Sequence, residues 1–378
     1  MKILLVNEGS LGRAGICLFL FQWTKILAEI LPDSTITVYF RLGVGDTALE
    51  KEFRKNGIRL VIGNHDPNGT SADKKNREAV KKDLREILKE DYDIVHINSS
   101  VLGFTSLVLA EAQRAKVPVR ISHGHGEFYA GRLKKIIHKL LRIYIRKTAT
   151  LYVGCSSNAI RYMFGQRILE SKKWIIIPNA IQTDRFAYNE KARQQRRNEL
   201  GIEEGQLLLG AVGYLEDMKN HTFLIDVMAQ LKAKNIIPKL IIFGIGSLKD
   251  RLCSKIRALG LENDIIMYGK TDDVASWLSA MDWFLMPSLL GEGFPISSIE
   301  AQTSGLKCIL STNITTEVDI TDGVTHLPVN HGPDEWAEKI AGEEPNPVQT
   351  RIIARTVVEE AGYGIKSLED AMRKLYGI

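Results

Sequence analysis

No apolar run in the chain approaches the ~20 residues needed to span a bilayer, which excludes a helical membrane-spanning protein. The opening, MKILLVNEGSLG, offers only Ile3, Leu4, Leu5 and Val6 between Lys2 and Asn7, too short an apolar region for a secretory signal. The expectation is a cytoplasmic protein. Cysteine is scarce as well: Cys17, Cys155, Cys253 and Cys308 are scattered through apolar sequence without metal-ligand spacing, which points to buried reduced thiols. Short repeats and low-complexity tracts are missing. So is the G-x-G-x-x-G dinucleotide fingerprint, because Gly9, Gly12 and Gly15 fall at intervals of three. No Asp-x-Asp motif closes an apolar strand run, so no divalent metal and no other cofactor is expected. A net charge of +5 is too modest to call for nucleic acid.

What the chain does contain is a succession of short Ile- and Val-rich runs. KILLVN, ITVYF, IRLVIG, DIVHIN, VPVRIS, LYVGCS and WIIIPNAI alternate with longer helical patterns in the first half. LLLGAVG, KLIIFGIG, DIIMYGK, DWFLMPS and LKCILST repeat the theme in the second. Runs of this kind are strands buried on both faces, hence parallel sheets covered by helices. The length of 378 residues exceeds one core, so an α/β chain of two Rossmann-like, doubly wound domains facing a central cleft is expected. The N-terminal domain is placed at 1–181, with the tail 363–378 packing back on it. Residues 182–362 form the link and the second domain. The polar stretch 182–206, QTDRFAYNEKARQQRRNELGIEEGQ, is expected to be the interdomain link with one solvated helix.

Ligands of open α/β sheets bind beyond the carboxyl ends of the strands, and there the chemical residues cluster. PSLLGEGFPISSIEAQTSG, residues 287–305, reads as strand end, loop and helix start. Gly291 and Gly293 permit close backbone approach, and Pro295 suits the first helical turn. Unpaired N–H groups near Phe294, Ile296 and Ser297 would receive phosphate or a developing anion. Carboxylates beside such a site, Glu292 and Glu300, must then be aimed at hydroxyl groups that donate to them. A sugar nucleotide, anionic in the middle and hydroxyl-rich at both ends, meets that demand. Upstream, GAVGYLEDMKN places Gly213 after a strand and Lys219 before a helix that begins near Asn220, where a compact cation could neutralise a diphosphate. The loop NEGSLGRAGI, residues 7–16, is a flexible segment able to bring N–H groups to a phosphate. In RISHGHGEF, His123 and His125 lie on one side of a strand. A metal pair, a neutral partner of substrate and a structural role all remain open for them.

Residues 131–147, GRLKKIIHKLLRIYIRK, hold seven Lys and Arg and no acidic residue, with Leu133, Ile136, Ile137, Leu140, Leu141 and Tyr144 at helical spacing. This basic amphipathic helix either packs its apolar stripe on its own domain or meets an anionic membrane surface.

With EGFPISSIE, SLKDRL, YGKTDDVASWLSAMDWFLMPS, IIPNAIQTDRF and KNHTFLIDVM in order, the chain resembles the retaining glycosyltransferases of family 4, nearly end to end. It is closest to the branch that builds capsular and exopolysaccharide. The resemblance implies the GT-B fold and catalytic roles for His125, Lys219 and Glu292. It implies that Glu300 binds the ribose hydroxyls of a nucleoside diphosphate sugar, a UDP-sugar being the expected donor. Further donor contacts are implied at Gly12, Arg13, Gly15, Gly213, Gly244, Gly246, Lys270, Gly293, Phe294, Pro295 and Ile296. The chain departs from the family in having Tyr214 where an arginine is usual, Ala14 and Gly15 for paired glycines, and Ala180 in place of the glycine of PNG. The implied acceptor is a lipid-linked saccharide at the inner face of the cell membrane, where the protein would be peripheral. The alternative is a noncatalytic sugar-nucleotide-binding subunit supporting a partner transferase; a nucleotide-sugar epimerase of the same shape is a third reading.

Overall fold

Ile, Leu and Val in unbroken runs can form ladders only where helices cover both faces of a sheet. The computed structural model, which describes residues 1–378 except 13–14, 67–72, 127–133, 172 and 291–293, shows two such sheets. The chain divides into an N-terminal unit, Met1–Asn179 with Glu369–Ile378, and a C-terminal unit, Ala180–Leu368. The boundaries drawn from sequence were 181 and 363.

In the N-terminal unit the strands are β1 (Lys2–Asn7), β2 (Thr35–Phe40), β3 (Arg59–Ile62), β4 (Ile94–Asn98), β5 (Val119–Gly124), β6 (Leu151–Gly154) and β7 (Ile175–Ile176). They pair in parallel in the order β3-β2-β1-β4-β5-β6-β7. The C-terminal unit contains β8 (Leu208–Val212), β9 (Lys239–Phe243), β10 (Ile265–Gly269), β11 (Trp283–Met286), β12 (Lys307–Ser311) and β13 (Val324–Leu327). Its order is β10-β9-β8-β11-β12-β13, again parallel. Strand order reverses direction between β1 and β4, and between β8 and β11. Helices leave opposite faces of a sheet at such a point and open a crevice at its carboxyl edge.

The polar stretch 182–206 is not a solvated link. Helices Thr183–Phe186 and Glu190–Glu199 belong to the C-terminal unit. Lacking an apolar face, Glu190–Glu199 docks through guanidinium groups: Arg193 and Arg197 share the buried Asp282 carboxylate at 2.6 and 3.0 Å. Arg196 binds Asp273 at 2.7 Å and lies over the Trp277 ring. Among the cysteines, Cys17, Cys155 and Cys308 are buried free thiols, whereas Cys253 is half-buried.

The tail beyond Glu369 completes the N-terminal unit by a polar contact inside its core. Trp23 Nε1–H donates to the Tyr376 hydroxyl at 3.1 Å, and that hydroxyl lies 2.8 Å from His96 Nδ1. His96 Nε2 in turn lies 3.2 Å from His123 Nδ1. The His123 ring stacks on His125 with centroids 4.2 Å apart. Burial holds His96 at a pKa of about 3 and His125 at about 3, and drives His123 well below the usual imidazole range; the neighbouring rings add to the effect at His96 and His123. All three are therefore neutral near pH 7.

A histidine whose folded pKa is depressed contributes stability that is complete above its unfolded value, near 6.5, and is lost as pH falls toward the folded value. Unfolding free energy should thus fall between pH 6.5 and 3 by up to about 1.4 kcal/mol per pH unit for each ring. Glu300, raised to about 7 by burial, has the opposite sign: it favours the folded state below the ordinary glutamate value and loses that contribution as pH rises through 7. Glu8, whose pKa burial also raises, acts in the same sense as Glu300, and three rings outweigh the two carboxyls. Urea titrations across this range measure the slope; a flat profile down to pH 4.5 would mean that the rings take up protons in the folded state.

Candidate active site

Both switch points carry the residues singled out in the sequence. At the carboxyl edge of the N-terminal sheet, β1 runs into the loop that holds Gly12, and Gly15 begins the helix Gly15–Ile30. Among the described residues of this loop, Leu11 is an anchor. Leu11 is fully buried, bridges to Val44, and accepts from Gly45 N–H at 2.7 Å. Arg13 lies outside the described residues. His125 follows β5 directly. Its Nε2 is 2.9 Å from Asn98 Oδ1, so Nε2 carries the proton and Nδ1 is left as an acceptor. Among the described residues, that buried Nδ1 has no hydrogen-bond partner. His123 is drawn instead into the core chain that leads to Tyr376, which assigns the two histidines different roles.

Glu8 was not singled out in the sequence, and no motif marks it. It stands one residue beyond β1, where its carboxylate meets Ser99 Oγ and accepts from Val101 N–H at 3.3 Å. Val101 precedes the helix Leu102–Arg114 and provides no side-chain cap. Glu8 therefore caps that helix from the neighbouring strand, satisfying N–H groups that have no partner within it. Burial raises its pKa even so, against the lowering effects of Ser99, Ser100, Val101 and Arg41.

The C-terminal unit supplies the cation, the helix start and the second carboxylate. Lys219 ends a single 3-10 turn, Asp217–Lys219, and Asn220 takes a left-handed conformation (φ 53°) to begin the helix His221–Ala233. The lysine stem crosses Gly213: a Cβ placed on that glycine would lie 3.4 Å from Lys219 Cδ. Gly244 and Gly246 serve backbone packing. A Cβ at Gly244 would fall 1.9 Å from the Gly213 carbonyl oxygen, and one at Gly246 2.4 Å from that of Leu215. The loops after β8 and β9 are consequently pressed together, and Gly244 N–H reaches the Gly269 carbonyl at 2.9 Å. Lys270 is exposed just past β10. Tyr214 is 41% exposed.

Two bonds tie this cation-bearing turn across the switch point to the loop after β11. Leu289 N–H donates to the Met218 carbonyl at 2.8 Å, and Asn220 Nδ2 to that of Pro287 at 3.2 Å. Beyond that loop, Pro295 occupies the cap position, one residue earlier than expected, and the helix runs from Ile296 to Thr303. Phe294 is buried at its foot. Glu292 and Gly293 lie outside the described residues. Glu300 projects from the first turns. Burial pushes its pKa up to about 7, with Arg185 pulling the other way, and no described residue donates a hydrogen bond to its carboxyl. A carboxyl whose pKa burial raises, with no described hydrogen-bond donor, is a candidate binding group.

A cation-bearing turn bonded across the switch point to the loop after β11, with a helix start and the Glu300 carboxyl further along the same chain, suits a ligand with both anionic and hydroxyl parts. Residues 35–185 match the family described as Glycosyltransferase Family 4, and residues 192–352 the one described as Glycosyl transferases group 1. Over 304 residues, 79% of this chain and 78% of the relative, the sequence is 30% identical to a Bacillus subtilis (strain 168) protein named glycosyltransferase EpsF. It is 28% identical over 227 residues to the UDP-Gal:alpha-D-GlcNAc-diphosphoundecaprenol alpha-1,3-galactosyltransferase of Escherichia coli, 59% of this chain and 58% of that one. The fold matches Anabaena Alr3699/HepE, solved in complex with UDP and glucose, with a TM-score of 0.75 at 18% identity, covering 100% of this chain and 99% of the other. With its two parallel sheets in series, the chain belongs to the family 4, group 1 glycosyltransferases and has their GT-B fold.

Proposed function

We propose that the protein transfers a sugar, with retention at the anomeric carbon, from a UDP-sugar to a hydroxyl of a lipid-linked saccharide in the synthesis of a cell-surface polysaccharide. The observation that carries this reading is the pair of bonds holding Lys219's turn to the loop that leads into Ile296–Thr303. In this reading Lys219 and the helix N–H groups take the charge that develops on the departing diphosphate, and no metal is required. Glu300 receives the ribose hydroxyls. Glu292 and the N–H groups of Gly293 and Phe294 hold the transferred sugar, and His125 Nδ1 accepts from one of its hydroxyls. The leaving phosphate takes the acceptor's proton on the face it departs from, so retention needs no side-chain nucleophile. The Escherichia coli relative, named for a UDP-Gal donor and a diphosphoundecaprenol-linked acceptor, and the UDP-bound Anabaena structure support the donor and acceptor classes.

The membrane half of the proposal rests on the helix Lys134–Thr148. Only part of its apolar stripe packs inward. Ile145 is fully buried and Leu141 joins the core, but Ile136, Ile137 and Leu140 are 71%, 57% and 62% exposed. Not all of its cations face outward. Arg142 and Arg146 are turned to the carbonyls of Tyr162 (2.6 Å) and Phe164 (2.9 Å) at the end of the helix Ser157–Phe164, where the helix dipole favours cations. Lys139 and Lys147 remain exposed beside the apolar residues. An apolar ridge flanked by cations matches an anionic lipid surface. No helix among the described residues is long and apolar enough to cross a membrane, so access to a lipid-linked acceptor would come from this ridge.

Two measurements test these assignments. Ribose hydroxyls donate to an ionised carboxylate, so UDP binding should draw Glu300 into its charged form. Affinity should then fall as pH drops below 7, with uptake of UDP releasing up to one proton. Glu300→Gln should weaken UDP binding by about 1.5–3 kcal/mol and flatten the pH dependence to that of UDP alone. Calorimetry in buffers of different ionisation enthalpy measures both; an unchanged affinity removes Glu300 from the donor site. For the membrane, the protein should sediment with phosphatidylserine vesicles at low salt and be released at high salt, since each Lys or Arg near the surface contributes about 1 kcal/mol. Ile136→Ser with Leu140→Ser, or Lys139→Gln with Lys147→Gln, should each reduce the bound fraction. Equal binding to neutral and anionic vesicles would refute the electrostatic part.

A further inference from the structure

The helix start at Ile296 is braced from below by the segments through which the chain enters and leaves the C-terminal unit. Phe294 stacks on Tyr363, with centroids 5.4 Å apart and planes within 9° of parallel. Tyr363 ends the segment Glu359–Tyr363, in which the helix is broken by a kink at Gly362 (φ 92°). The Tyr363 hydroxyl donates to the Glu317 carbonyl at 3.2 Å, and its own carbonyl accepts from Ile181 N–H at 3.0 Å. Ile181 also bridges in parallel to Gly364. Thr183 Oγ1 donates to Glu359 at 2.5 Å, and Arg355 is paired with Asp184. Residues 181–185 and 355–364 thus form one hydrogen-bonded module. That module meets the candidate site twice, through the ring under Phe294 and through Arg185, whose charge reaches Glu300.

We propose that Tyr363 is a positioning residue for donor binding: its ring fixes Phe294, and so the N-terminal turn of Ile296–Thr303, to the paired crossover segments. The inference rests on the reading of that turn as the donor-holding site. Tyr363 touches no part of the proposed ligand. Its effect on binding passes through Phe294.

The test uses the full-length protein with Tyr363→Leu, Tyr363→Phe and, as the marker of the donor reading, Glu300→Gln. Amide exchange over residues 294–300 and the affinity for UDP are measured on each. Tyr363→Leu should speed exchange at the helix start and weaken UDP about three- to tenfold, the worth of one aromatic stack. Tyr363→Phe, which keeps the ring, should hold UDP affinity within about twofold of the original. Unchanged exchange and affinity in the leucine variant would overturn the proposal. So would a phenylalanine variant as weak as the leucine one, since that result assigns the effect to the bond with Glu317. Faster exchange with unaltered UDP affinity, in a protein that Glu300→Gln does weaken, leaves the donor reading standing and removes Tyr363 from it. If UDP affinity is indifferent to both positions, the donor reading fails and carries the proposal with it.

Discussion

The hydrogen bond from Leu289 N–H to the Met218 carbonyl spans the one place in the C-terminal sheet where neighbouring strands send their helices to opposite faces. Everything argued for the donor half follows from it. A lysine on a loop of its own would sample many positions, and its charge would be screened by water. Lys219's turn is tied to the loop after β11, which in the proposed reading lets the cation and the N–H groups of Ile296–Thr303 act on one anion. The left-handed Asn220 makes the turn tight enough to begin His221–Ala233 immediately. Gly213 leaves room for the lysine stem to cross it. Preorganisation of this kind is what stabilises a leaving group without cost at the moment of reaction.

Much of this fold was legible because buried parallel strands allow little besides Ile, Leu and Val. Twelve runs were read from the sequence and each contributes a strand; WIIIPNAI, however, yields only Ile175–Ile176, its proline and asparagine leaving the ladder. β13 was missed. Its residues Val324–Leu327 are only half-buried and include Thr325 and His326, so the edge strand lacks the apolar signature of an interior one. The segment 182–206 misled for the converse reason. A helix with no apolar face reads as solvated, yet Arg193 and Arg197 dock it on a buried carboxylate that the sequence could not pair with them.

Site residues divide along similar lines. Lys219, Pro295 and Glu300 could be placed because glycine, proline and the start of a helix announce a carboxyl edge locally. Glu8 could not, because its partners Ser99 and Val101 are brought to it only by the pairing of β1 with β4. The resemblance implies donor contacts at Gly244 and Gly246; in the structure the space a side chain would take there is filled by the carbonyls of Gly213 and Leu215. The two histidines of RISHGHGEF were left with three roles, and the fold separates them by position. His123 Nδ1 belongs to a buried chain that ends at the C-terminal tail, while His125 Nε2 is held by Asn98 and Nδ1 has no partner among the described residues.

The electrostatics of the two units differ in a way that suits a transfer reaction. Desolvation acts on both, and it produces neutral groups in each, but by opposite proton movements. In the N-terminal unit it strips protons from a stack of histidines, leaving acceptor and donor nitrogens without net charge. In the C-terminal unit it raises the Glu300 pKa to about 7, so that the empty site carries less negative charge at neutral pH than an ordinary glutamate would give it. In the proposed reading a diphosphate would be attracted to that state. Hydroxyl donors arriving at Glu300 would then make ionisation favourable. Charge attraction and hydroxyl recognition, which would oppose one another if Glu300 were always ionised, can in this way act in succession on a single ligand.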